Sequence, residues 1–529
     1  MKGLISLQKL PKLTLVEIEN YLKKRFEESG GLLNLSDLPH PSTFKDMDKA
    51  CKRIVAAINN REKIIIVGDY DVDGVISTTI LSDFFESIKA DVKWFIPNRF
   101  EHGYGLSTKI LSYIQEFDLI ITVDNGITAT DVASWCLENN KTLIITDHHT
   151  PPKNLPNAFA IINPKQDDCT FIYPDICGAM VAWYLIAGLK EHLKLKINLK
   201  SYLALVAIAT IADVMPLLHI NRAIVIAGLK ELNNSQKPFV AALKNHLRSS
   251  KFKSDDISFW IAPILNSAGR MSDASQAVYF LKSIDMSDAY EKLAYLADTN
   301  EKRKIIEEKI SNQAKNQILN PDGSILIIRG DDWHEGVLGI VATRMVRFFK
   351  KPAIVLSKSK EGLLKGSGRS IKGFDLFASI DPHRDIIEKF GGHPMAIGIS
   401  LKEDKLQEFI DKLPNYYEIC TDDSDKALGE IELELINDKL FALLDNFEPY
   451  GEANPHLVFA SSNINIKSAI SMGKNSEHRR YQIYQNGKTI EAIHFNPINP
   501  LEINEYDKVS YIIRKSIFKN VEILQLLIK

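Results

Sequence analysis

The chain has 529 residues, of which 45% are hydrophobic and 25% charged, and its formal net charge is −2. This excludes a disordered or fibrous polymer and supplies apolar surface for about three to four domains. The charge is uneven: residues 340–400 carry 11 Lys/Arg against 5 Asp/Glu, and residues 461–529 carry 10 against 6, so the rest of the chain is acidic. A molecule of this kind can hold cations in one region and a polyanion in another.

The cysteines Cys51, Cys136, Cys169, Cys177 and Cys420 are odd in number and form no CxxC pair. That argues against a disulfide framework or structural zinc and fits a reducing compartment. The first residues contain no long apolar signal run. The most apolar stretch, Tyr202 to Ala212, is about half the roughly twenty residues a membrane span needs. A soluble, cytoplasmic protein that does not engage membranes is expected.

In chain order, residues 1–44 carry no usable motif, although Glu17 to Glu28 reads as a helix packing on the domain that follows. Apolar runs at Lys63–Val67, Trp94–Ile96, Leu119–Val123 and Thr142–Thr146 have strand length. They alternate with helical stretches at Gly74–Lys89 and Thr128–Asn139, which indicates a parallel sheet covered on both faces. Two more helices are expected over 178–193 and 199–212. From residue 288 to about 319 no Pro or Gly interrupts, charges flank a thin apolar stripe, and Lys304 can pair with Glu308. This predicts one long exposed helix joining two domains. A second α/β unit starts at Ile325–Ile328 and runs to about 402. The last hundred residues alternate like strands, at Ile464–Lys467 and Tyr481–Tyr484, with an Asn486-Gly487 turn.

The most informative pattern is acidic. Gly68-Asp69-Tyr70-Asp71-Val72-Asp73-Gly74 follows the first strand, Asp124-Asn125-Gly126 the third, and Asp147-His148-His149 the fourth. Loops at the carboxyl ends of parallel strands share one crevice, so these side chains should converge there. Asp213, in the apolar setting Ile211-Ala212-Asp213-Val214-Met215, points to a further inward carboxylate. Two carboxylates about 4 Å apart repel by roughly 4 kcal/mol at an effective dielectric of 20. Several around one crevice therefore need a cation, and none of the three loops contains Lys or Arg. Oxygen ligands with an imidazole suit Mn²⁺ or Mg²⁺, and a pair of such ions is the usual device for hydrolysing a phosphodiester. Turn or helix-cap duty is the plain alternative for any one Asp. Asp69-x-Asp71-x-Asp73-Gly74 also resembles the start of an EF-hand, but Ile80 stands where that loop needs its Glu.

These segments resemble the four motifs of the DHH phosphoesterase family, with Asp213 in the fourth. Leu265-Asn266-Ser267-Ala268-Gly269-Arg270-Met271, Trp333-His334-Glu335-Gly336-Val337 and Gly391-Gly392-His393-Pro394 resemble later segments of its single-strand exonuclease branch. Pro449-Tyr450-Gly451-Glu452-Ala453-Asn454-Pro455 resembles the opening of that branch's oligonucleotide-binding (OB) fold, with Tyr450 in place of Phe and Ala453 in place of Gly. The resemblance implies an α/β protein with an N-terminal segment (1–44), a parallel-sheet DHH catalytic domain (45–287), a long connecting helix (288–320), a DHH-associated α/β substrate-binding domain (321–424) and a β-rich OB-like module (425–529).

By the same resemblance, Asp71, Asp73, Asp124, His148 and Asp213 are metal ligands for two Mn²⁺ or Mg²⁺ ions, with Asp124 and Asp213 bridging. Asp69 is a ligand or a base, His149 meets the scissile phosphate and Asp147 orients an imidazole. Arg99, Tyr104, Arg270, Trp333, Ser367, Arg369, Ser370, Gly391, Gly392 and His393 are expected to contact substrate, with Arg99 and Ser367-Gly368-Arg369-Ser370 around a terminal 5′-phosphate. Phe459, Tyr481 and Tyr484 are candidate base-stacking residues in the OB-like module, where Arg479-Arg480 is either a phosphate contact or a solvated loop. The implied activity is metal-dependent 5′→3′ hydrolysis of single-stranded DNA to 5′-mononucleotides in DNA repair and recombination. The implied protein is a monomer with a RecQ-type helicase and a single-strand-binding protein as companions. The alternatives are a DHH phosphodiesterase of short oligonucleotides or cyclic dinucleotides, and a non-catalytic DNA-binding scaffold.

Overall fold

The computed structural model describes residues 10–28, 31–359, 362–414, 426–473, 476–497, 499–518 and 521–529. Cys420 lies outside them; the four described cysteines are unpaired.

Continuous runs of β-branched residues make the first sheet: β1 (Ile64–Val67), β2 (Val92–Phe95), β3 (Leu119–Val123), β4 (Thr142–Thr146) and β5 (Ala160–Ile162), all parallel, in the order β2-β1-β3-β4-β5. Alternate residues face opposite cores. Ile64, Ile66, Ile121 and Ile144 pack against the helices Val72–Ser87 and Gly178–His192, while Ile65, Val67, Ile120 and Ile145 pack against Val132 and Ile114. Burial on both faces is why these strands read as unbroken apolar runs. The strand order reverses between β1 and β3, and this switch point is where such sheets open a crevice. β5 was not expected, because its three residues sit inside a Pro- and Asn-rich stretch.

The helix Met286–Ala314 is single and long, as its lack of Pro and Gly predicts, but it is packed rather than exposed. Leu293, Leu296 and Ile310 are buried, and so are Arg303 and Glu307, which pair with each other while Glu307 also accepts from Arg344 Nε at 2.6 Å. Lys304 lies 3.7 Å from Glu301, not against Glu308. The charge pattern that reads as a solvated face thus includes a buried cross-domain network.

The second sheet is mixed, in the order β6 (Leu326–Gly330), β7 (Ala353–Lys358), β8 (Leu363–Arg369), β10 (Ala396–Lys402), β9 (Lys389–His393). Only β6 and β7 pair in parallel. Gly391-Gly392-His393 is therefore an exposed edge strand, not the free loop that its glycines suggest. In the third sheet, β12 (Phe459–Met472), β13 (His478–Gln485), β14 (Lys488–His494), β16 (Val521–Ile528) and β15 (Glu505–Phe518) close on themselves through a β12–β15 pairing, with β11 (Gly429–Glu430) beside β12. This barrel is consistent with the OB fold.

The helix Leu15–Glu28 packs mainly on the barrel, since Ile18, Leu22 and Phe26 belong to the barrel's core, and it touches the first domain only at its end, where the Arg222 guanidinium lies 4.5 Å from the Phe26 ring centroid. Leu13 N–H donates to Glu430 O at 2.8 Å and Glu430 N–H to Pro11 O at 2.7 Å, extending the sheet at β11. The segment before β12 is clamped to the first domain. Arg222 donates to the carbonyls of Phe447 and Glu448, and Leu217 N–H donates to Glu452 O at 2.8 Å. Ala453 has φ +59°, the left-handed region that glycine enters without strain. That is the physical reason a Gly is the expected residue there.

Candidate active site

Asp71 caps the helix Val72–Ser87, accepting from Gly74 N–H at 3.1 Å. A Cβ on Gly74 would lie 2.5 Å from the Asp69 carbonyl oxygen, so glycine lets the acidic loop fold back on its own helix. Asp73 points to another helix: its two oxygens accept Gly178 N–H at 2.5 Å and Ala179 N–H at 2.8 Å. The first turn of Gly178–His192 thus receives a carboxylate, as free N–H groups and the helix dipole favour. Gly178 has a second reason to be glycine, since a Cβ there would lie 2.6 Å from Asp124 Cβ. Asp124 follows β3 with φ +61°, strained for a residue with a Cβ. Next to it, buried Asn125 donates to Val67 O and Val123 O and accepts from Leu106 N–H, tying β1, β3 and the loop after β2 together. Asp213 ends the apolar helix Leu203–Ala212.

The structure brings these groups to one place. His148 Nε2 lies 3.1 Å from Asp124 Oδ1 and 3.6 Å from both Asp73 Oδ2 and Asp213 Oδ2. Ligand atoms of Asp69, Asp71 and Asp124 fall within 4.8 Å of one another, as do those of Asp73, His148 and Asp213, and those of Asp124, His148 and His149. Asp124 belongs to two of these groups and Asp213 to one. Asp69 Oδ1, Asp124 Oδ1 and Asp213 Oδ2 are buried without a hydrogen-bond partner, and among the described residues no Lys or Arg pairs with Asp69, Asp71, Asp73, Asp124 or Asp213. Burial, then mutual repulsion, pushes Asp69, Asp124 and Asp213 well above the ordinary carboxylate range and Asp73 to about 7. Burial pushes His148 down to about 3, leaving it the neutral imidazole that ligates metals. Orphaned acidic oxygens with one neutral imidazole fit divalent Mn²⁺ or Mg²⁺.

Asp147 is placed differently. One oxygen accepts from His148 N–H, His149 N–H and His149 Nδ1 at 2.7, 3.0 and 2.8 Å; the other accepts from Ile127 N–H at 2.9 Å. Burial opposes ionisation of both partners, but their contact holds Asp147 below the ordinary range and raises His149 to about 9. The half-exposed His149 ring turns its Nε2 towards Tyr104 Oη at 3.4 Å.

The expected substrate residues divide. Arg99, on the loop after β2, stacks its guanidinium 5.1 Å from the Tyr70 ring centroid. Arg270, at the end of the helix Ala262–Met271, makes no side-chain hydrogen bond or ion pair among the described residues. Burial and the charges of Arg99, Arg303 and Arg369 lower it to about 10, which marks a local excess of positive charge. Arg369 is steadied by Ser367 Oγ at 2.8 Å and Gly368 O at 2.7 Å. His393 is exposed on the same side, and after burial the charges of Arg369 and His149 are what depress it. Tyr104 is 47% exposed.

Trp333 is a correction: it is buried beneath β6, its indole donating to Gln313 Oε1 at 2.9 Å, and offers no face to a base. The Ser370 hydroxyl donates to Phe374 O at 2.7 Å and serves a turn. Phe459 and Tyr481 are wholly buried in the barrel. Tyr484 is half-buried, with Lys467 Nζ 4.7 Å from its ring centroid. The sequence alone suggests no role for Gly178, Ala179 and Asn125, although a Gly opening a long apolar helix is a detectable signal.

Residues 63–210 match the DHH family, N-terminal domain, residues 322–418 the DHHA1 domain, and residues 429–529 the RecJ OB domain. The chain is 35% identical over 476 residues to the single-stranded-DNA-specific exonuclease RecJ of Bacillus subtilis, covering 87% of this chain and 60% of that relative's length. It is 32% identical to the same-named protein of Haemophilus influenzae, covering 87% of this chain and 86% of the relative. A crystal structure of Thermus thermophilus RecJ in complex with Mn²⁺ superimposes with a TM-score of 0.77 at 26% identity, covering 92% of this chain and 71% of that one. Acidic strand ends meeting at the switch point of a DHH sheet, followed by a DHHA1 domain and a closed barrel, place this chain in the RecJ family of DHH phosphoesterases.

Proposed function

We propose that the chain is a divalent-metal-dependent exonuclease that hydrolyses single-stranded DNA from its 5′ end to 5′-mononucleotides, acting in DNA repair and recombination. The observation that carries the reading is the set of buried carboxylates with which no Lys or Arg among the described residues pairs, from the ends of β1 and β3 and from Asp213, gathered on His148. Asp69, Asp71 and Asp124 would hold one ion, and Asp73, His148 and Asp213 the other. Bound Mn²⁺ or Mg²⁺ would supply an activated water and charge stabilisation at the phosphate. The chain's own groups do the rest. His149, kept protonated by Asp147, faces the scissile phosphate and offsets charge developing on its oxygens. Gly178 and Ala179 N–H groups hold Asp73 in place. Arg99, Arg270 and Arg369, with His393, receive a terminal 5′-phosphate, since guanidinium groups grip phosphate in bidentate fashion.

We divide the chain into a catalytic unit to residue 287, a substrate-binding unit from 321 and an OB-like module from 425. In the barrel, Lys467 over Tyr484 and the Arg479-Arg480 pair would meet the upstream strand. Among the described residues no helix is long and apolar enough to cross a membrane. We place the protein in the cytoplasm, where unpaired cysteines stay reduced, as a monomer working beside a RecQ-type helicase and a single-strand-binding protein. The test is hydrolysis of 5′-labelled single strand, duplex and cyclic dinucleotide with Mn²⁺, Mg²⁺ or EDTA. Mononucleotide release from the single strand alone, abolished by EDTA, is expected. Turnover of the cyclic dinucleotide in preference would overturn the reading.

A further inference from the structure

The three guanidinium groups of the phosphate pocket come from three separate segments. Arg99 lies on the loop after β2, Arg270 ends a helix of the first domain, and Arg369 ends β8 of the second. Their common geometry depends on how the loop is fixed and on how the two domains meet. Inside the first domain the loop is closed by Asn98. Its Oδ1 accepts from Phe100 N–H at 2.9 Å and Glu101 N–H at 3.3 Å, and its Nδ2 donates to Ser272 O at 2.9 Å, two residues beyond Arg270. Asn98 N–H donates to His102 Nδ1 at 2.9 Å, and the His102 ring packs edge-on against Phe95 and Tyr113.

Beside Arg99, the Phe100 ring reaches across the domain boundary. It meets His334 edge-on, with centroids 5.4 Å apart and planes at 84°. His334 is itself fixed, its Nδ1 accepting from Gly336 N–H at 3.1 Å. Gly336 lies against the Arg270 backbone so tightly that a Cβ would come within 1.9 Å of Arg270 O. One seam, Phe100–His334–Gly336–Arg270, therefore touches the neighbour of Arg99 on one side and Arg270 itself on the other. On its far side the second domain holds Arg369, whose guanidinium would lie 2.8 Å from a Cβ on Gly339, three residues after Gly336.

We propose that the Phe100–His334 contact is a specificity-determining latch. It fixes the spacing of Arg99 from Arg369 across the domain seam, so that the pocket selects a terminal phosphate monoester over a terminal hydroxyl. Phe100 and His334 are positioning residues: they act through Arg99 and touch no substrate. The inference rests on the phosphate pocket proposed above, and the variants separate the two claims.

The test is equilibrium binding, in EDTA, of one single-stranded oligonucleotide bearing either a 5′-phosphate or a 5′-hydroxyl. The full-length wild type, Phe100→Ala, Phe100→Tyr and Arg99→Ala are compared. A partial loss of folding lowers both affinities together, so the ratio is the readout. The wild type should favour the phosphate by at least about tenfold, as charge-assisted bidentate contacts warrant. Phe100→Ala should lower that ratio towards the Arg99→Ala value, and Phe100→Tyr, which keeps an edge for His334, should restore it. In metal-supported turnover Phe100→Ala should raise KM for the phosphorylated strand and leave kcat near wild type. Phe100→Leu serves as a second variant if Phe100→Ala melts early. A wild-type ratio in both Phe100→Ala and Phe100→Leu would overturn the latch while the pocket stands. Equal affinity of the wild type for both ends would overturn the pocket and the latch with it.

Discussion

The acidic crevice and the arginine pocket lie side by side but are built in opposite ways. The carboxylates come almost entirely from the ends of adjacent parallel strands, and backbone N–H groups, Asn125 and Asp147 fix them within one domain. The arginines come from a loop, a helix end and a strand of another domain, and they meet across a seam. The first arrangement is rigid but charge-frustrated, so it should depend on a bound cation. The second should depend on domain packing, and its failures should be graded.

The largest effects should come from breaking the crevice. Asp124→Ala or Asp73→Ala should reduce single-strand hydrolysis by at least about a thousandfold, the order expected when a group acting only at the transition state is lost. Circular dichroism and oligonucleotide binding should remain near wild type. Either variant turning over like the wild type would refute the ligand assignment. Next, Mn²⁺ should stabilise the EDTA-treated protein, by about 2.7 kcal/mol at a hundredfold excess over Kd, raising its Tm. Asp124→Asn should lose most of that rise, yet melt above the wild type without metal, because one repelling carboxylate is gone.

In the arginine pocket, Arg99→Ala or Arg369→Ala should lower kcat/KM for 5′-phosphorylated strands by about ten- to a hundredfold, since a charge-assisted contact contributes about 1.5–3 kcal/mol. The loss should be smaller on 5′-hydroxyl strands. Overall affinity should fall with salt at about −0.7 per phosphate engaged; a slope near zero would remove the nucleic-acid path altogether.

The smallest effect concerns the contact that moors the barrel. Burial opposes ionisation of Asp255, but His456, 3.2 Å away, and Arg514, at 3.0 Å, hold it below the ordinary carboxylate value. A depressed carboxyl stabilises the fold above its ordinary value and loses that contribution as pH falls through the folded one. The Tm advantage of wild type over Asp255→Asn should therefore be full near neutrality and begin to shrink as pH falls below about 4. A constant difference across that range would contradict the assignment.

Sequence legibility followed the same divide. β3 and β4 were legible to the residue because unbroken apolar runs end in Asp, and the metal cluster followed from their parallel order. What was not legible depended on partners far along the chain. The helix Leu15–Glu28 packs on residues more than 400 positions away, and no local periodicity announces that. Arg303 and Glu307 have the spacing of a surface pair, yet Arg344 of the second domain draws Glu307 inward. Trp333, Phe459 and Tyr481 carry the composition of a stacking surface, and only the packing shows that they fill cores. Gly178 is explained by Asp73 and Asp124, which reach it from the helix Val72–Ser87 and from the loop after β3.

The most direct test of the central claim is calorimetric titration of Mn²⁺ into the metal-stripped, full-length chain. Two ions should bind per chain, with Asp124→Ala losing the pair. Tight binding of no ion, or unchanged two-ion binding by Asp124→Ala, would contradict it.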